Sequence, residues 1–254
     1  MPSTSQDAVL NTFALRSFRD TADRDYIHAR LAYRARLVPQ FQWSALHCLE
    51  KYAKGILLLN RIPAKKLRHE VSGALSLLAQ AGKFQVVLSA EAVKFIERLE
   101  NRAEFRYFEV SYSNHHYDIV RLDLAVSELR RYCQVLDWDL QTDLRPKNLL
   151  APMLARIQKA AEKSPRDTCI MSGWLEGVLK DTRHSARSAL VWQNLYFGAK
   201  NRKTVKLHGY VEAGNSPLYM HPEILEEVLK YVYLPNRIIN QWREELAQRQ
   251  SAKT

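Results

Sequence analysis

The sequence predicts a mainly α-helical protein. It reads as an N-terminal antiparallel helical bundle over residues 1–140 and a smaller helical region over 141–254, with a β-hairpin at about 204–220. Three observations carry this. In the stretch from Trp43 to Leu78, Leu46, Leu49, Ala53, Ile56, Leu57 and Asn60 recur at steps of three and four, the signature of an amphipathic helix. A second seam, Ile119, Leu122, Val126, Leu129, Cys133 and Leu136, keeps the same steps over nearly five turns and reads as the buried stripe of a bundle helix. Eight Gly and nine Pro in 254 residues are few, which favours long helices over a turn-rich β fold.

Taken in order, residues 1–18 show no strong period and are expected to fray. A helix follows from about Asp20 to Val38, with Tyr26, Ala29, Tyr33 and Leu37 on one face, Arg24, Arg30, Arg34 and Arg36 around the rest, and Pro39 closing it. The Trp43 helix places Glu50, Lys51 and Lys54 off its apolar stripe, with Glu50 and Lys54 a favourable i,i+4 pair. Pro63 ends it, and a second arm starts near Leu67 with His69 close to its beginning, making an αα-hairpin that Gly82 terminates. Ser89 reads as an N-cap with Glu91 in the first turn. Residues 139–148, with Pro146, mark the boundary. Beyond them come a helix near Leu149–Lys163, a long helix from about Thr168 to Phe197 packed through Met171, Trp174, Leu175, Val178 and Leu179, and the hairpin. Pro222 opens the next helix, and a polar helix over Arg237–Arg249 ends the chain.

Composition bounds the function. Cys48, Cys133 and Cys169 are odd in number and widely spaced, which gives neither a disulfide framework nor a zinc motif and fits a reducing compartment. The N-terminus has no apolar signal region, and the longest apolar run cannot span a bilayer, so a cytoplasmic protein is expected. A net charge of +11 favours anionic partners, of which nucleic acid is the commonest. No phosphate-binding glycine loop, HExxH pair or nucleophile elbow is present, and no cofactor is expected.

The helix reading LEKYAK, the short basic loop after it and His69 at the next helix start resemble the HEPN domain. The upstream Asp25-Tyr26-Ile27-His28-Ala29-Arg30 is similar to the pattern of that family's first helix. The resemblance covers about residues 20–140. It implies a small helical bundle of prokaryotic defence or toxin–antitoxin loci, often a homodimer and sometimes the partner of a nucleotidyltransferase. Catalytic members use an Arg and a His separated by four to six residues on a late bundle helix, the His as acid or base and the Arg on the phosphate. Here that spacing is absent from the bundle. It fits only Arg202 and His208, in a segment read as strand.

The remaining candidates are basic. Lys180, Arg183, His184 and Arg187 fall at helical spacing, and Lys200, Arg202, Lys203 and Lys206 follow closely; together they read as a track for a phosphate backbone. Trp192, Tyr196 and Phe197 lie between the two groups, where aromatics stack on bases if they are not core. Lys65, Lys66, Arg68 and His69 read as a phosphate site at a helix start. His115 and His116, with Asp118, invite a metal reading, but adjacent histidines on a helix point in different directions and no further ligand lies at familiar spacing, so no metal is expected there. The function that follows is a non-catalytic HEPN-like protein binding nucleic acid, RNA more than DNA. A metal-independent endoribonuclease and a protein-interaction module are the alternatives.

Overall fold

Residues 6–34 form one unbroken helical rod: α1 (Gln6–Phe13), a π-helical turn over Ala14–Arg19, and α2 (Asp20–Arg34). This computed structural model describes residues 6–65, 67, 69–101, 110–134, 139–140, 147–161, 173–198 and 202–251. The chain expected to fray before residue 18 is therefore helical from Gln6 onward. Its wider π turn shifts the helical phase, so Ala14 and Arg19 are buried although no single 3.6-residue period runs through the segment.

The rod stops at Arg34, four residues before the expected end. Arg36 adopts φ +57°, the left-handed conformation that closes a helix. Pro39 then sits in the first turn of α3 (Val38–Leu59), where its missing N–H costs nothing. The proline expected to end one helix opens the next.

The α3 stripe is buried as predicted: Leu46, Leu49, Ala53, Ile56, Leu57 and Asn60 are all at most 4% exposed. Glu50, expected on the outer face, is buried as well. The hairpin's second arm, α4 (Val71–Gln80), starts later than Leu67 and ends at Gly82, φ +66°. Ser89 caps α5 (Ala90–Glu100), its Oγ accepting from the Ala92 N–H at 3.3 Å. In α6 (Asp118–Arg130) and the turn after it, Ile119, Leu122, Val126, Leu129 and Cys133 are fully buried. Leu136 lies outside the described residues. Burial pushes the Cys133 thiol up to about 12, as befits a packed core residue.

The core does not end with α6. Ile157 of α7 (Leu150–Ala161), Leu175, Val178, Ala189, Leu190 and Phe197 join the same apolar cluster as α2 to α6. The long helix expected from Thr168 to Phe197 is instead α8 (Trp174–Lys180) and α9 (Arg187–Val191), with 168–172 outside the described residues. Side chains break it. Asp181 Oδ1 accepts from the Arg183 N–H (2.9 Å) and His184 Nδ1 from the Ala186 N–H (3.1 Å), local bonds that compete with helix continuation.

Two buried ion networks fasten these later elements. Arg130 donates to both oxygens of Asp23 (2.7 and 2.9 Å) and both of Glu176 (2.7 and 2.9 Å). Arg30 pairs with Asp123 and donates to the carbonyls of Ala189 (2.8 Å) and Trp192. Burial opposes the charge on each guanidinium, but the carboxylates beside them more than offset it, and both stay charged. Arg30, expected on an outer face of α2, is thus a core residue.

The expected hairpin is replaced by a long-range pair. β4 (Val211–Gly214) runs antiparallel to β1 (Tyr112–His115), in register Tyr112 with Gly214 and His115 with Val211. Alternation gave the extended segment, but it carries no information about which distant strand supplies the hydrogen bonds. Between them in the chain, β2 (Asp139–Leu140) and β3 (Lys147–Asn148) form a two-residue ladder. Leu218-Tyr219-Met220 belongs to α10 (Pro217–Met220), capped by Ser216 Oγ. Leu218 packs with Leu225 of α11 (Leu225–Val228), Leu234, and Ile238 and Trp242 of α12 (Asn236–Ser251) in a second, smaller cluster. Among the described residues no helix is long and apolar enough to cross a membrane.

Candidate nucleic-acid interface

Where the end of α2 meets the extended segment 202–210, Tyr33, Arg34, Arg36, Trp192, Lys206, Leu207, His208 and Tyr210 line a cleft of about 330 Å³. Its cations lie on its rings. The Arg34 guanidinium is 5.3 Å from the Trp192 ring centre, and that of Arg36 is 5.3 Å from Tyr210. Arg34, Arg36, Lys206 and His208 are exposed, and Trp192 and Tyr210 half-buried, so the cleft offers mobile charge above partly fixed aromatic faces.

The cleft walls are held from below. Arg30 grips the Trp192 carbonyl, and Tyr33 donates through its hydroxyl to His116 O (2.6 Å) under the Tyr210 ring. Gln193 Oε1 accepts from the Lys206 N–H at 2.9 Å, tying the extended segment to the turn after α9. Three non-glycine residues among those described have positive φ, and two of them, Arg36 and Gln193, flank this cleft. Such backbone persists where surrounding contacts over-determine it, and it clusters at functional sites.

The predicted basic residues divide. Lys206 and His208 line the cleft. Arg202 stands nearby but spends one N–H on the Val191 carbonyl at 2.7 Å, and Lys203 is exposed. Lys200 lies outside the described residues. Lys180, Arg183, His184 and Arg187 do not share a helix face, because the helix breaks at Asp181 between them. Arg187 donates to Leu179 O (3.2 Å), and His184 meets the Trp174 ring edge-on. Arg202 and His208 share no helical face either, since 202–210 is extended. Arg34, Arg36, Tyr33 and Tyr210 were missed. Their only sequence signal was the arginine series along α2, which spacing alone could not separate from a solvated face.

Other candidates have different surroundings. The Asp118 carboxylate takes Arg98 (2.5 Å), Arg121 (2.9 Å) and the His115 N–H (3.0 Å), an anion already satisfied by cations. Beside it Lys94, Arg98, His115, His116 and Arg121 line a second basic cleft of about 640 Å³. At the other expected phosphate site, Lys66 and Arg68 lie outside the described residues and Lys65 is exposed. His69 Nδ1 is hydrogen-bonded to Glu50 Oε2 at 3.0 Å, and Glu70 holds the N-cap position of α4, so two carboxylates stand where the anion was expected.

Residues 15–136 match the family model of the HEPN domain, and this part of the chain is a HEPN domain. No curated protein matches the chain. No solved structure matches it either.

Proposed function

We propose that this HEPN-domain protein binds single-stranded nucleic acid, RNA in preference to DNA, without cutting it, in a prokaryotic defence or toxin–antitoxin setting. The supporting observation is the cleft, in which Arg34 and Arg36 lie over Trp192 and Tyr210 with Lys206 beside them. Cations that track phosphates next to rings that stack on bases are the two components single-strand binding needs. The setting, a homodimer and a nucleotidyltransferase partner rest on the family alone.

The experiment compares labelled single-stranded RNA and duplex DNA on wild type, an Arg34→Ala/Arg36→Ala/Lys206→Ala variant and a Lys180→Ala/Arg183→Ala control. Stacking on Trp192 contributes about 1–3 kcal/mol, so Trp192→Leu is expected to weaken RNA binding at least fivefold. Equal affinity of the cleft variant and wild type sinks the assignment. The second reading, a metal-independent endoribonuclease, is favoured by His208 lining the same cleft. It requires RNA cleavage in EDTA that disappears in His208→Ala.

A further inference from the structure

A different corner of the bundle brings together three groups that metal ions favour. His47 and Glu50 stand one turn apart on α3, and His69 reaches back to them from the loop before α4. One ligand atom from each lies within 4.8 Å of the others. We propose that His47, Glu50 and His69 form a site for a divalent transition metal, zinc in the first instance.

One edge of the site already matches what a tetrahedral ion demands. Zn–N and Zn–O bonds of about 2.0–2.2 Å place neighbouring ligand atoms roughly 3.3 Å apart. Glu50 Oε2 and His69 Nδ1 are already 3.0 Å apart. His47 completes the set, with a ligand atom within 4.8 Å of the other two, and His69 has a side chain 46% exposed on backbone that belongs to no helix. His47 and Glu50 are carried by the same helix, α3. Trp43, its ring centre 4.0 Å from that of His47 and 5.2 Å from that of His69, walls one side.

The donor set selects the metal. Two imidazoles and one carboxylate suit zinc and its first-row neighbours and discriminate against magnesium and calcium, which prefer all-oxygen shells. Lys54 occupies the other Glu50 oxygen, Oε1, at 2.5 Å, which leaves Oε2 as a single-point ligand. Three protein ligands leave the fourth position open to water or to a group from another molecule. The site also accounts for Glu50, a buried carboxylate on a helix that its sequence position would place outside.

The test is calorimetric titration of the untagged full chain, stripped with chelator, with Zn²⁺ and separately with Mg²⁺. The expected result is saturation at one Zn²⁺ per chain and no matching Mg²⁺ binding. His69→Ala, in an exposed loop, and His47→Gln, which keeps side-chain bulk on the helix, are each expected to weaken Zn²⁺ binding at least tenfold with an unchanged circular dichroism spectrum. His221→Ala, an exposed histidine elsewhere, is expected to bind as wild type does. Absence of Zn²⁺ binding to wild type, or wild-type affinity in both His47→Gln and His69→Ala, overturns the proposal.

Discussion

Asp23 accepts from the Tyr52 hydroxyl (2.5 Å), from Arg130 twice and from the Leu175 N–H (3.4 Å), all away from solvent. Removing one partner of such a buried pair strands the other charge, at a cost of about 3–5 kcal/mol. Asp23→Ala is therefore expected to lower the urea midpoint far more than Asp20→Ala, whose Arg19 pair is partly solvated; equal shifts in equilibrium unfolding contradict the network's role. Thiol chemistry gives a second check. With the Cys133 pKa near 12 and that of Cys48 also raised by burial, both side chains are thiols at pH 8 and shielded. Mass spectrometry after alkylation is expected to find both unmodified in the folded protein and both modified in denaturant. At this scale the sequence was legible where residues are apolar and misleading where they are charged. Arg30, Arg130 and Glu50 look like surface residues until their distant partners, as far as 162 residues away in the chain, are known.

The elements with local causes were legible. The α3 stripe, the α6 seam, the Ser89 cap and the Gly82 stop each depend on side chains within a turn or two, and each is found. What was lost depended on distant or phase-shifting contacts: the π turn over Ala14–Arg19, the β1–β4 pairing and the break at Asp181. The end of α2 yields a prediction of its own. Because Arg36 sits at φ +57°, Arg36→Gly keeps a favourable backbone while removing the cation over Tyr210. Thermal unfolding is expected to show stability equal to or above wild type, together with weaker RNA binding. A variant that loses stability but not affinity would mean Arg36 serves the fold and not the cleft.

Across the whole molecule, the HEPN domain at 15–136 borrows its cover from later chain. Leu175, Val178, Ala189 and Leu190 fill its core, Glu176 completes the Arg130 network, and Trp192 brings an aromatic wall to the end of α2. A chain ending at residue 140 exposes that surface and is expected to unfold at lower urea than the full chain. The excess positive charge was plain from composition, but composition assigns no place to it. The cleft exists only because segments some 160 residues apart converge, which no spacing rule detects.

The most direct measurement is the salt dependence of single-stranded RNA binding in EDTA, for wild type and the Arg34→Ala/Arg36→Ala/Lys206→Ala variant. Each phosphate contact on a single strand contributes about 0.7 to the slope of log affinity against log salt. Binding is expected to be salt-sensitive and free of cleavage, with a slope shallower by about 2 in the variant. Identical slopes and affinities for the two proteins would contradict binding at the cleft.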